Sequence, residues 1–321
     1  LEPERLPAYS ELPVKPGAPP GSAWGLFGGD DQLGTLNLLT PERTAAAARL
    51  VRKGRVFPLN LRIDRPDPPL YFRGAVKHTI LARNPNSRDD YLDSFYPQAS
   101  SQWDSLRHIR NPEHGFYNGT RDDEIGPGET GKLGIEQMAR RGIAGRGVLL
   151  DIARFAEAEG RPIDPATRVV IDRDMLQGCA RAQDVGLQTG DILIVRTGWL
   201  RWYLEETTPE ERQRMAAGPA ANLRAPGLGP AEEMTAYLWD LHVAAVAADN
   251  PALEAWPPIS DAEFMHRRLI PLLGMPIGEL WYLEDLAAGC AADGCYDFFF
   301  TSAPLNVPGG VGSPPNALAV L

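Results

Sequence analysis

Asp191 to Thr197, DILIVRT, is the stretch whose reading decides the fold. Its Ile-Leu-Ile-Val core has no polar face, so a strand made of it must be covered on both sides, as the central strand of a sheet flanked by helices is. Working outward, GRGVLLDI (145–152) and HVAAVAAD (242–249) read as further buried strands, and TRVVID (167–172) as a short one. Helical periodicity fills the intervals, over Asp174 to Val185 and Pro230 to Leu241, and Trp199 to Ala216 reads as a surface helix. Val56 to Ile63, Met275 to Leu283 and Tyr296 to Ser302 add strands, and a Gly- and Pro-rich loop leads to a short strand at the C-terminus. This alternation predicts an α/β or α+β mixed fold.

Helix boundaries are punctuated. Thr40 and Pro41 occupy the N-cap and N1 positions of a helix running to Gly54. Ile135 to Arg141 reads as a short helix, and Ser260-Asp261-Ala262-Glu263 has the form of a capping box opening a helix through His266 that Pro271 stops. On that helix His266 shares a face with Ala262, Leu269 and Ile270, so it points inward. Residues 1–23, with six prolines, cannot sustain a helix and are expected to form an extended arm that packs on something, a second subunit being one option. Residues 24–321 are expected to form a single domain, since no linker divides them.

Composition excludes several function classes. The 321 residues carry a formal charge of -10 and no Lys/Arg run, so there is no field for a nucleic-acid backbone. No apolar run reaches the roughly 18–20 residues of a membrane span, and no signal-peptide pattern is visible. Three cysteines (179, 290, 295) lack disulfide-framework or metal-knuckle spacing, which suits a reduced, cytoplasmic setting. No GxGxxG, Walker loop, HExxH or GxSxG occurs, so no nucleotide cofactor or serine nucleophile is indicated.

The chemistry concentrates in Tyr96 to Gly119, YPQASSQWDSLRHIRNPEHGFYNG. Gln102, Asp104 and His108 follow Gln98 at offsets of four, six and ten, a parity that places all four on one face of an extended segment. A carboxylate beside an imidazole in a concave site suits acid–base or metal chemistry; the plainer reading is a solvated loop. His78, on a predicted strand, reads as a core or edge histidine satisfied by hydrogen bonds. Asp249, at the end of HVAAVAAD, can serve a site or cap the following turn.

Several segments together resemble the putative cyclase family, which includes kynurenine formamidase and isatin hydrolase. They are WGLFGGDDQLGTLNLLTPE, QWDSLRH with FYNG, GIAGRGVLLDI, GDILIVRTGW, AADNPALEAW, FMHRRLIPLLGMPIGELW and TSAPLNVPGGVGSPPNALAVL. The resemblance implies a swivelling β/β/α-type fold and a homodimer or homotetramer. It also implies a divalent metal, zinc or manganese, that generates a hydroxide to attack a carbonyl. In the family's hallmark, His-x-Gly-Thr-His-x-Asp-x-Pro-x-His, the aspartate falls on Asp104 and the last histidine, the proton-transfer group, on His108. The first and second histidines fall on Gln98 and Gln102, the Gly-Thr pair on Ser100-Ser101 and the proline on Leu106. Two further ligands, a histidine opening a His-Arg helix and a glutamate on the next strand, fall on His266 and Glu279.

The resemblance therefore implies Asp104, His266 and Glu279 as metal ligands, with Gln102 marginal, and His108 as general base and then general acid. Trp103, Tyr117, Asn118 and Trp281 would line a pocket for a flat ring substrate. An amide oxygen is a weak, hard ligand, so two glutamines shift the site from zinc toward manganese or magnesium, or to no metal. Three functions compete. One is a metal-assisted hydrolase of a cyclic amide, lactone or formamide. Another is a metal-independent lyase, dehydratase or cyclase using His108 with Asp104, His266 and Glu279; the third is a non-catalytic small-molecule binding protein.

Overall fold

The strands of the computed structural model, which describes residues 5–126, 131–218, 222–260 and 263–321, are β1 (Val56–Pro58), β2 (Lys77–Asn84), β3 (Ser87–Asp93), β4 (Gln102–Asp104), β5 (Ile143–Asp151), β6 (Val170–Ile171), β7 (Ile192–Arg196), β8 (Gly227–Leu228), β9 (Ala245–Ala248), β10 (Ile277–Glu279), β11 (Asp297–Ser302), β12 (Gly312–Ser313) and β13 (Ala317–Val320). Nine of them form one mixed sheet in the order β1-β13-β11-β5-β7-β9-β10-β4-β12. The DILIVRT run is its fifth, central strand. The pairs β5/β7, β7/β9 and β9/β10 are parallel, and the flanks are antiparallel.

The helices are α1 (Pro41–Ala48), α2 (Ile135–Arg141), α3 (Ile152–Ala158), α4 (Arg173–Ala182), α5 (Trp199–Glu205), α6 (Pro209–Ala217), α7 (Glu232–Asp240), α8 (His266–Leu269) and α9 (Glu284–Asp293). They supply the crossovers that parallel strands require: α3 and α4 between β5 and β7, and α5 to α7 between β7 and β9. Strand alternation divides the core. Leu193 and Val195 of β7 pack into one layer with Leu176, Leu238 and Leu269, whereas Ile192 and Ile194 join Leu39, Trp103, Trp281 and Phe298 in the other. The mixed α/β class expected from the sequence is the class observed.

Some elements differ from the sequence reading. Thr40 does cap α1, accepting from the Arg43 amide, but the helix ends at Ala48 and not at Gly54. The segment 199–216 is two helices, because Thr208 and Glu211 form a capping box, with Pro209 at N1, that starts α6 afresh. The first of the two is not a surface helix, since Trp199, Leu200 and Tyr203 are buried. The strand expected over 56–63 stops at Pro58. Asp261 and Ala262 of the expected capping box lie outside the described residues, and α8 is a single turn starting at His266.

Residues 77–93 form a hairpin of β2 and β3 that stands almost wholly in solvent, and there His78 pairs with Asp90 at 2.8 Å. The N-terminal arm folds back on its own chain: Tyr9 N–H donates to Asp240 Oδ1 (2.7 Å), and Trp239 Nε1–H to the Pro7 carbonyl (2.9 Å). Among the described residues, no helix is long and apolar enough to cross a membrane.

Candidate active site

Pairing of β4 with β10 assembles the floor of the site. Its antiparallel register sets Glu279 opposite Gln102 and Ile277 opposite Asp104. With a period of two, Gln102, Asp104 and Glu279 project to one side of the sheet. Gln98 comes from the turn leading into β4, and His108 from the turn after it, where its amide donates to the Ser105 carbonyl (3.0 Å). His266 opens α8, whose single turn sits against the same face.

The polar groups meet closely. Glu279 Oε1 lies 3.0 Å from His266 Nε2, and its Oε2 accepts from Gln102 Nε2 at 2.5 Å. Asp104 Oδ1 accepts from Gln98 Nε2 at 2.5 Å and from Gln102 Nε2 at 3.3 Å. Gln98 Nε2 also faces His108 Nδ1 at 3.1 Å. The Gln102 amide oxygen faces away from the carboxylates and accepts from Arg73 Nη1 at 3.3 Å. Arg73 also donates to the Gln98 carbonyl. Asp104, Gln102, His266 and Glu279 are buried, whereas 21% of the His108 side chain remains exposed, so the site opens to solvent on the His108 side.

One carboxylate oxygen of this cluster has no partner among the described residues. Asp104 Oδ2 is buried without a hydrogen bond, 3.8 Å from His108 Nε2 and 3.9 Å from His266 Nε2. An unpaired buried carboxylate oxygen is costly, and a cation is the ordinary remedy. Asp104, His266 and Glu279 each offer one ligand atom, all within 4.8 Å of one another. Ligands roughly 2.0–2.2 Å from a shared ion fall about 3–4 Å apart, and His266 Nε2 stands 3.0 Å from Glu279 Oε1 and 3.9 Å from Asp104 Oδ2, so the group fits such an ion. Two carboxylates and one imidazole suit zinc or manganese.

The charges are interdependent. Burial pushes the Glu279 carboxyl up to about 7, Asp104 adds to this, and His266 opposes it. Burial alone would lower the His266 imidazolium; Glu254 and then Glu279 outweigh it and hold the ring's pKa well above the usual value. His108 moves the other way: burial lowers it, against the pull of Asp104, so its neutral form is favoured. With no cation, the carboxylates of Glu254 and Glu279 hold a proton on His266.

A model of the putative cyclase family matches residues 57–255, which include β4, Asp104, His108 and Glu254. The chain belongs to the putative cyclase family. Its fold is similar to the crystal structure of a novel cyclase, with TM-score 0.82 and 36% identity over 94% of this chain and 99% of that one. It is also similar in fold to isatin hydrolase A from Labrenzia aggregata (TM-score 0.59, 16% identity, 89% of this chain and 98% of that one). A third structure, described as a predicted metal-dependent hydrolase from Bacillus stearothermophilus, has TM-score 0.51 and 16% identity over 84% of this chain and 98% of its own. At these two identities the likeness is one of fold. No curated protein matches the chain.

Within this cyclase fold, Gln98, Gln102, Asp104, His108, His266 and Glu279 are brought together, and the four aromatic and amide residues expected to line a pocket are not. Trp103 lies between Gln102 and Asp104, so it turns to the opposite side of the sheet. There it packs edge-on to Trp281 with ring centroids 4.8 Å apart, and both indoles are fully buried. Tyr117 donates to Asp31 (3.1 Å), and Asn118 accepts from Gly25 N (2.8 Å) and donates to the Gly28 and Asp31 carbonyls. These two tie down the loop after Trp24. Asp249 accepts from Thr197 N, Thr197 Oγ1 and Gly198 N, which makes it a turn clamp.

Sequence reasoning missed Glu254, Arg73 and Tyr71. Glu254 is a fully buried carboxylate in the apolar segment ALEAW, and that mismatch was the available signal. Tyr71 and Phe72 both hold left-handed backbone (φ 58° and 60°), which is rare for aromatic residues. This turn brings Arg73 onto the two glutamines, over the Tyr71 ring at 5.3 Å. No sequence pattern announces it.

Proposed function

We propose that the chain is a metal-assisted hydrolase of a small cyclic amide, lactone or formamide. The observation that carries this reading is the orphaned Asp104 Oδ2, which faces His266 Nε2 within a donor set completed by Glu279. A divalent cation held by Asp104, His266 and Glu279 would supply Lewis acidity, polarising a carbonyl and acidifying water. Membership of the cyclase family and the fold shared with isatin hydrolases support hydrolysis, and isatin is itself a cyclic amide.

The protein's own groups supply the rest. His108 is neutral near pH 7, part-exposed, and presents Nε2 toward Asp104 Oδ2, which suits it to carry a proton from attacking water to the leaving nitrogen or oxygen. The Gln98 amide donates to Asp104 Oδ1 and faces His108 Nδ1, so the neutral ring carries its proton on Nε2, and taking a proton there first requires Gln98 to move off Nδ1 so that the ring proton can shift to that nitrogen. Arg73 keeps Gln102 oriented with its NH2 toward the carboxylates, so Gln102 acts as a hydrogen-bond donor and not as a ligand in this arrangement. A small ring compound as substrate, a homodimer or homotetramer, and a cytoplasmic location belong to the same proposal.

The test is turnover of a panel of isatin, simple lactones and aryl formamides. Activity should disappear on chelation and return with manganese or zinc; a rate indifferent to chelation would sink the proposal. That second outcome would favour a metal-independent acid–base lyase or cyclase, which the amide donors on Glu279 Oε2 and Asp104 Oδ1 support, since they already satisfy two of the cluster's carboxylate oxygens with hydrogen bonds.

A further inference from the structure

We infer that Glu254 is a positioning residue that aims His266 at the cation, an inference that rests on the functional reading above. Both of its carboxylate oxygens face His266 Nδ1, at 2.8 and 3.0 Å, and Oε1 also accepts from the Met265 amide at 3.1 Å. The ring therefore stands between Glu254 and the Asp104–Glu279 pair, and Glu254 cannot itself be a ligand beside them. An Nδ1–H donated to Glu254 leaves Nε2 as the nitrogen that points at Glu279 Oε1 and Asp104 Oδ2.

The support behind Glu254 is rigid. Its neighbours pair with the 225–228 segment: Ala255 N donates to the Leu228 carbonyl (2.9 Å), and Trp256 and Ala225 exchange amide bonds at 3.0 and 3.1 Å. Gly227 permits this approach, because a Cβ there would lie 2.3 Å from the Glu254 carbonyl carbon. On the ring's face, Phe264 stacks on His266 at 4.5 Å and 13°. Ring rotation is thus opposed by a carboxylate at its edge and an aromatic on its plane. A carboxylate behind a ligating imidazole fixes its tautomer and raises its basicity, and losing such a partner typically weakens metal affinity about 10–100-fold.

The experiment measures affinity of the chelator-stripped protein for Zn2+ and Mn2+ by competition with a chromophoric chelator, for wild type, Glu254→Gln and Glu254→Asp. Glu254→Gln keeps the shape and can still accept from Nδ1–H but lacks the charge, and the expected loss is about 10–100-fold; Glu254→Asp, which restores the charge, should recover part of it. A second readout needs no variant. In zinc-loaded wild type with 15N-labelled histidine, His266 should carry its proton on Nδ1, and a proton on Nε2 would overturn the inference. Equal affinity of Glu254→Gln and wild type would overturn it while leaving the functional reading intact. A wild type that takes up neither ion would overturn both.

Discussion

Asp104 Oδ2 and His266 Nε2 face each other across 3.9 Å with nothing donated to the oxygen. The gap is too long for a hydrogen bond and suits two ligands of one small cation. The electrostatic character of the site follows: Asp104, Glu254 and Glu279 are carboxylates grouped on one imidazole, and their mutual repulsion is relieved by a proton or by a metal ion.

Removing His108 separates proton transfer from metal binding. His108→Ala should lower kcat/KM by about 10²–10⁴-fold while leaving metal content unchanged. The pH profile has a definite sign. Burial lowers the His108 pKa, so the neutral, proton-accepting form prevails at pH 7 and is lost only as pH falls through a value below the ordinary histidine range. The acidic limb of kcat/KM should lie below about 6.5 and vanish in His108→Ala; a limb above that range would contradict the assignment.

Gln102→His restores an imidazole beside Asp104 and Glu279. Zinc affinity should rise relative to manganese, because imidazole suits zinc better than an amide does. Competition binding with both ions measures this, and unchanged zinc preference would show that position 102 lies outside the cation's reach.

Trp103→Phe should reduce stability without altering metal affinity or KM. The indole is fully buried, stacked edge-on to Trp281, and its Nε1–H donates to Ser302 (3.0 Å). Losing that bond and part of the ring should remove about 1–3 kcal/mol in denaturant unfolding. A raised KM at wild-type stability would return Trp103 to the substrate pocket.

Thr197→Val tests the Asp249 clamp. Burial pushes the Asp249 carboxyl up to about 6, so its stabilising contribution is fully present below the unfolded value near 4 and is lost as pH rises through about 6. Above that, the charge depends on its three donors, one of them the Thr197 hydroxyl at 2.7 Å. The variant should cost about 1.5–3 kcal/mol at pH 7 and less at pH 4.5. Unfolding at the two pH values decides it.

The sequence made the central sheet legible because an uninterrupted Ile-Leu-Ile-Val run admits few environments. The one-face parity of Gln102 and Asp104 was equally readable, whereas Gln98 and His108 join them from turns on either side of β4 and not along one extended segment. The parity of β4 should have ruled out Trp103 as a pocket residue, since the residue between two site residues on a strand must face the other way. Tertiary context decided the rest. Nothing local announces that Glu254 meets His266, or that the turn at Tyr71 and Phe72 carries Arg73 inward, because both depend on segments brought together only by the sheet. The break between α5 and α6 was present in Thr208, Pro209 and Glu211, but the continuing run of helix-forming residues concealed it.

The most direct measurement is the metal content of purified, tag-free protein by elemental analysis, with Asp104→Ala alongside. The account predicts close to stoichiometric zinc or manganese in the wild type and its loss in the variant. Wild-type protein that contains no metal and takes up none when zinc or manganese is added would contradict it.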